Sequence, residues 1–113
     1  MLNQETAVVV TEGNNTFELD MTFEKAEPIV RQFSSDFNDE DTANEARALS
    51  GYHALSAYVK NAYGSPEHEP VEQGIRDMLG DLQHLCHKLD LDFLELLCRA
   101  QATFQDELLH PLG

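Results

Sequence analysis

The chain has 113 residues, a length typical of one domain, and carries 21 acidic against 7 basic side chains for a formal net charge of −14 at pH 7. That charge repels nucleic acid and anionic membranes, so we expect direct binding to neither, and it attracts proteins whose working surface is basic. Apolar residues make up 42% of the chain and recur in regular stripes, which argues against disorder. No apolar run is long enough to span a bilayer, and the first ten residues lack the features of a secretory signal.

Residues 6–22 are predicted to form a β-hairpin. The stretch 6–11 is β-branched and apolar, and residues 12–15 supply a turn. Residues 16–22 alternate strictly between apolar and polar side chains, which fits a sheet that is packed on one side and wet on the other. Because an isolated hairpin is marginal in water, we expect helices to cover its apolar face.

The helical part of the chain is predicted over residues 23–109. Apolar residues at helical spacing indicate a first helix from about Phe23 to Phe37. The acidic segment 38–42 would then lie beside the positive N-terminal end of a second helix, where negative charge is favourable. That helix is predicted to end at Tyr63, before the helix-breaking residues 64–66.

Two further helices are predicted in the C-terminal third. Pro70 is suited to the first position of the third helix. Asp92, with Glu95 three residues later, forms the capping box that begins the fourth helix. Both helices carry an apolar stripe. The sequence therefore predicts a single α+β domain that is mostly helical, with an N-terminal β-hairpin followed by about four helices.

The acidic residues of the N-terminal 45 positions are the candidate partner-binding site. Duplex DNA carries one negative charge per about 1.7 Å of its axis, and carboxylates spread over one side of a small domain can offer a comparable field. The alternative is that these side chains only keep the surface hydrated and interact with the positive ends of helices. The candidate residues are Glu18, Asp20, Glu24, Glu27, Asp36, Asp39, Glu40, Asp41 and Glu45.

A second cluster lies on the third predicted helix. Asp77, Asp81 and His84 share one helical face, and two carboxylates with an imidazole could hold a divalent metal. That face is rotated roughly 110° from the apolar stripe and should be exposed to water. The alternative is therefore that the carboxylates only pair with basic side chains one helical turn away, which stabilises the helix. We therefore predict no metal and no cofactor. Cys86 and Cys98 are too few for a disulfide framework, which favours a reduced cytoplasmic setting in a host cell.

Two resemblances bear on function. The segment 77–97, DMLGDLQHLCHKLDLDFLELL, resembles a helix–turn–helix segment of small phage and plasmid proteins. Together with its size and acidity, the chain is similar in type to phage inhibitors of restriction or CRISPR systems. Many such inhibitors imitate DNA, so the resemblance implies a non-enzymatic protein that occupies a DNA-binding surface.

The same segment also resembles the later half of all-α MazG-type nucleotide pyrophosphohydrolases. That resemblance implies a magnesium site formed by acids of two facing helices. Asp81 matches the final acid of the second motif, but Met78 stands where that motif has a glutamate. The first motif would come from Glu40, Asp41 and Glu45, with Asn44 in the place of its third acid.

The leading hypothesis is an anti-CRISPR-type or related inhibitor that docks its acids on a basic, nucleic-acid-binding surface of a defence complex or nuclease. The alternatives are a MazG-like hydrolase using Asp77, Asp81, Glu40, Asp41 and Glu45, and an antitoxin-like regulator of a basic toxin. A homodimer formed through leftover apolar helix surface, with Leu94 and Leu109, is also left open.

Overall fold

A computed structural model of the chain describes residues 20–113, and their regular structure is helical. The helices are α1 (Phe23–Val30), α2 (Ala43–Tyr63), α3 (Val71–Lys88) and α4 (Phe93–Leu109). The end of the second predicted helix at Tyr63 is confirmed, and Gly64 terminates it with a positive φ of 88°. No helix within residues 20–113 is both long and apolar enough to cross a membrane.

The predicted α+β class is wrong, because residues 20–113 contain four helices and no strand. Most of the predicted hairpin 6–22 lies outside the described residues. In its described part, the backbone pairs with the segment before α3: Thr22 forms an isolated bridge with Pro70. The Thr22 side chain accepts a hydrogen bond from the backbone N–H of Lys25 at 3.3 Å. A residue predicted to lie in a strand is therefore the N-cap of a helix.

Helix α1 ends at Val30, well before the predicted Phe37. The following loop satisfies its backbone through its own side chains instead of continuing the helix. Asp36 accepts a hydrogen bond from the N–H of Asn38, and Asp39 accepts one from the N–H of Asp41, each at 2.9 Å. Short polar side chains that bind nearby backbone in this way compete with helix formation.

The core lies where α1, α2 and α3 meet. Phe23, Leu55 and Val59 are buried there, and Val59 has no exposed surface. Gly74 of α3 lets the helices approach closely, because a Cβ added at this position would lie 3.0 Å from Cγ2 of Val59 and 3.2 Å from the Phe23 ring. The core is therefore centred on the N-terminal half of α3.

The link between α3 and α4 is a Schellman turn. The N–H of Leu91 donates to the carbonyl of Cys86 at 2.8 Å, and Asp90 adopts a positive φ of 60°. Asp92 then caps α4 by accepting a hydrogen bond from the N–H of Glu95 at 3.1 Å, which confirms the predicted helix start. The Glu95 side chain pairs with Arg99 and leaves the capping box half formed.

The apolar stripes of α3 and α4 remain largely in water. Helix α4 buries no residue, and α3 buries only Gly74 and Cys86. The far end of α4 is tied to the start of α2 by polar contacts: Asn44 donates to the backbone carbonyl of Glu107 at 3.0 Å, and Arg47 forms an ion pair with its carboxylate at 3.0 Å.

Candidate functional site

The densest group of candidate acids lies in the loop before α2. We define the acidic loop as residues 36–41, which contain the carboxylates of Asp36, Asp39, Glu40 and Asp41. All four residues are exposed. None of them takes part in an ion pair with another described residue, and the loop itself contains no basic residue. Their charges are therefore uncompensated by close cations in the described part of the chain.

The conformation of the acidic loop is set by its own polar groups. One carboxylate oxygen each of Asp36 and Asp39 accepts a backbone N–H, as described above, and the Thr42 hydroxyl donates to the carbonyl of Asp36 at 2.9 Å. Glu45, in the first turn of α2, accepts from the N–H of Ser34 at 2.9 Å. The structure thus brings five of the predicted residues into one region at the start of α2.

The remaining candidate acids are placed elsewhere. Glu18 lies outside the described residues. Asp20 is half-buried, and its backbone carbonyl accepts a hydrogen bond from Nζ of Lys25 at 3.2 Å. Glu24 lies 3.7 Å from Nδ1 of His68, next to the loop between α2 and α3. Asp20 and Glu24 therefore do not belong to the acidic loop.

Glu27 is engaged within the fold. The Tyr52 hydroxyl donates to its carboxylate at 2.7 Å, and the Arg31 guanidinium lies 3.5 Å away. The hydrogen bond from Tyr52 is the largest effect on the pKa of Glu27 and lowers it; desolvation opposes this shift, and the charge of Arg31 adds a smaller lowering. Burial, followed by the same hydrogen bond, raises the pKa of Tyr52.

A surface cavity of about 540 Å³ opens beside the Glu27–Tyr52 pair. Its walls carry both signs of charge, which are supplied by Glu24, Glu27, Glu67, Arg31 and Lys60. Because the charges are mixed, this cavity does not favour a ligand of one sign of charge, and no sequence motif predicts it.

Two tyrosine–aspartate pairs connect α2 and α3. The Tyr58 hydroxyl donates to Asp81 at 2.5 Å, and the Tyr63 hydroxyl donates to Asp77. The hydrogen bond with Asp81 is the largest cause that raises the pKa of Tyr58 to about 12. Asp77 and Asp81 were predicted to face water, and in the structure Asp81 is exposed and Asp77 is half-buried. Both also accept hydrogen bonds from tyrosines of α2, so they link the two helices as well.

The two groups of acids that would form a hydrolase-type site lie at opposite ends of α2. Asp77 and Asp81 contact the C-terminal part of α2, whereas Glu45 stands in its first turn. Thirteen residues separate Glu45 from Tyr58 along the helix, or roughly 20 Å at about 1.5 Å per residue. Among residues 20–113, no three metal-ligating side chains are grouped closely enough to hold an ion.

Sequence reasoning missed the tyrosine–aspartate pairs, although a signal for them existed. Tyr58 and Tyr63 lie near the end of one predicted helix, and Asp77 and Asp81 lie in the first two-thirds of the next. Two helices joined by a short link pack side by side in opposite directions, which brings such positions together.

Comparison of the chain with family models, with characterised proteins and with solved structures finds no match.

Proposed function

We propose that this protein is a non-enzymatic inhibitor that binds the basic, nucleic-acid-binding surface of a defence complex or nuclease and blocks access of DNA. The single observation that carries the proposal is the acidic loop: four exposed carboxylates within six residues, without an ion pair to any other described residue. The net charge of −14 adds long-range attraction to a cationic cleft.

The geometry of the loop supports binding by charge. Its backbone is held by Asp36, Asp39 and Thr42, so its carboxylates are presented without a large loss of conformational freedom on binding. The field of the whole chain accelerates encounter, and local packing then sets the lifetime of the complex.

The test is displacement of DNA from purified CRISPR effector complexes and restriction endonucleases across a salt series. We expect inhibition to weaken steeply as salt rises, because salt screens attraction between exposed charges. A loop variant carries the three substitutions Asp39→Asn, Glu40→Gln and Asp41→Asn. The asparagine at position 39 can still accept the backbone N–H that Asp39 accepts, so the loop conformation is retained.

A matched control variant changes the net charge by the same amount at exposed sites outside the acidic loop: Glu72→Gln, Asp90→Asn and Asp106→Asn. We expect the loop variant to lose inhibition at least about tenfold more than the control, since each 1.4 kcal/mol corresponds to a factor of ten. Inhibition that is indifferent to salt, or equal losses in the two variants, would contradict the proposal.

A further inference from the structure

The apolar residues of α3 and α4 form a surface that the rest of residues 20–113 leaves exposed and that the proposed function does not use. We define the apolar face by the residues of the two helical stripes that remain at least a third exposed: Ile75, Leu79, Leu82, Leu85, Leu89, Leu97, Phe104 and Leu108. Their exposed fractions run from 38% for Leu82 to 58% for Leu89. Leu89 lies in the link between the helices and joins the two stripes.

We infer that a second copy of this chain covers the apolar face, so that the protein forms a homodimer through α3 and α4. The exposure of α4 favours such a partner. The helix spans 17 residues and buries none of them, although Leu97, Phe104 and Leu108 recur on one side. A helix of this length is marginal in water unless tertiary packing covers its apolar side.

The size of the apolar face also fits a dimer interface. At roughly 200 Å² of accessible surface for a fully exposed large apolar residue, the eight residues leave on the order of 800 Å² in water per copy. The largest apolar patch on a typical monomer covers about 300–600 Å². A standard stable interface buries about 800 Å² per partner, so one copy of the apolar face supplies the area that a dimer needs.

The absence of charge on the apolar face indicates which kind of partner it fits. The eight residues that define the apolar face are uncharged, and the two aspartates of α3, Asp77 and Asp81, lie on a different side of the helix, where they bind tyrosines of α2. A basic partner therefore finds no opposite charge to pair with at this face. The same face of a second copy can pack against it without burying an unpaired charge. Closed two-fold dimers, in which the same patch serves on both subunits, are the commonest oligomers of soluble proteins.

The apolar face occupies a different side of α4 from the interface that the sequence suggested. Leu94 and Leu109 are the most exposed large apolar residues of α4, at 65% and 76%. At about 100° per residue, however, Leu109 is rotated by roughly 120° from the centre of the stripe that contains Leu97, Phe104 and Leu108. The dimer buries Leu108 and leaves Leu109 in water.

The experiment is sedimentation equilibrium of the full chain over a concentration series in reducing buffer, because Cys98 is exposed and unpaired. We expect the mass to rise from 12.7 kDa towards twice that value as concentration increases. Because both copies carry a charge of −14, added salt should strengthen the dimer, whereas it weakens the complex in the proposed function. The two proposals can therefore fail independently.

Two neighbouring leucines provide a matched pair of variants. Leu108→Gln should raise the dissociation constant at least about tenfold, because the loss occurs once in each copy, and Leu109→Gln should change it less than about threefold. The helix content of each variant is checked by circular dichroism. A wild-type chain that stays monomeric up to about millimolar concentration, or a dimer that tolerates Leu108→Gln as well as Leu109→Gln, would overturn the inference.

If Leu108→Gln prevents folding, concentration dependence of the wild-type melting temperature provides the second measurement. A dimer melts at a higher temperature as protein concentration rises, by mass action, whereas a monomer does not. A melting temperature that is independent of concentration would also overturn the inference.

Discussion

The Tyr58 hydroxyl donates a 2.5 Å hydrogen bond to the carboxylate of Asp81 and thereby joins the end of α2 to the middle of α3. A second bond of the same kind, from Tyr63 to Asp77, lies one turn earlier on α3. In each pair a neutral phenol donates to a carboxylate acceptor. The two bonds therefore hold the helices in one register only while the phenols keep their protons.

The first prediction concerns the titration of Tyr58. Its pKa is raised to about 12, so the folded protein holds this proton more tightly than the unfolded chain, whose tyrosines titrate near 10. The stabilisation is complete below about pH 10 and is lost as pH rises from there to about 12. Phenolate absorbance should show one of the three tyrosines titrating last.

Two variants assign that last step. Tyr58→Phe should remove it, and Asp81→Asn should move it to lower pH, because a neutral amide accepts a weaker hydrogen bond from the phenol and does not repel the phenolate. Tyr58→Phe should also reduce the fall in stability between pH 10 and 12, and the part that remains comes from Tyr52, whose pKa is raised as well. An unchanged titration in Asp81→Asn would show that Asp81 does not raise the pKa.

The second prediction compares two glycines of α3. Replacing Gly80 by alanine should stabilise the protein by about 0.5–1 kcal/mol, because nothing lies within 4 Å of the added Cβ and alanine is the better helix former. Gly74→Ala gains the same propensity, but its Cβ meets Val59 and Phe23 at 3.0 and 3.2 Å. Overpacking costs about 1–3 kcal/mol, so this variant should be destabilised.

The measurement is urea unfolding at a fixed protein concentration, with the difference between the two variants as the result. If Gly74→Ala is as stable as Gly80→Ala, the close approach of α3 to Val59 is not required by the fold.

Sequence reasoning succeeded where the signal is local. The end of α2 at Gly64 and the start of α4 at Asp92 were predicted correctly, because a helix end depends on a few neighbouring residues. It failed where distant contacts compete with local pattern. Thr22 continued an alternating strand pattern, yet its backbone pairs with Pro70 and its side chain begins α1.

The candidate site divides in the same way. The density of acids at 36–41 was visible in the sequence, and these residues are exposed as predicted. The roles of Glu27, Asp77 and Asp81 were missed, since each depends on a tyrosine 14 to 25 positions away. Apolar periodicity likewise identified the stripes on α3 and α4, but periodicity does not tell whether the chain itself covers them.

The third prediction concerns the turn between α3 and α4. Asp90 has a φ of 60°, a conformation that glycine adopts without strain. Asp90→Gly should leave the stability unchanged or raise it by up to about 1 kcal/mol. Asp90→Val should lower stability by about 1–2 kcal/mol, because a β-branched residue is strained there. Thermal unfolding of the two variants gives the comparison, and equal stabilities would mean that the turn does not hold this conformation in solution.

The fourth prediction concerns the contact between α2 and the end of α4. Arg47 and Glu107 form an ion pair whose side chains are about one-third exposed, at 33% and 31%. Such a pair contributes up to about 1 kcal/mol. Arg47→Met keeps much of the apolar stem and removes the charge, so it should free the last turns of α4 from α2. We expect amide exchange in residues 104–109 to accelerate by about twofold to fivefold, as measured by hydrogen–deuterium exchange.

The control for this variant is Arg31→Met, which breaks the pair between Arg31 and Glu27 on α1 and has no partner on α4. It removes the same charge, so a general effect of net charge would appear in both variants. Faster exchange in residues 104–109 only in Arg47→Met would assign the effect to the Glu107 contact. Equal exchange in the two variants would mean that the end of α4 is held by something other than Arg47, and a second copy packed on Leu108 would then be the first candidate to test.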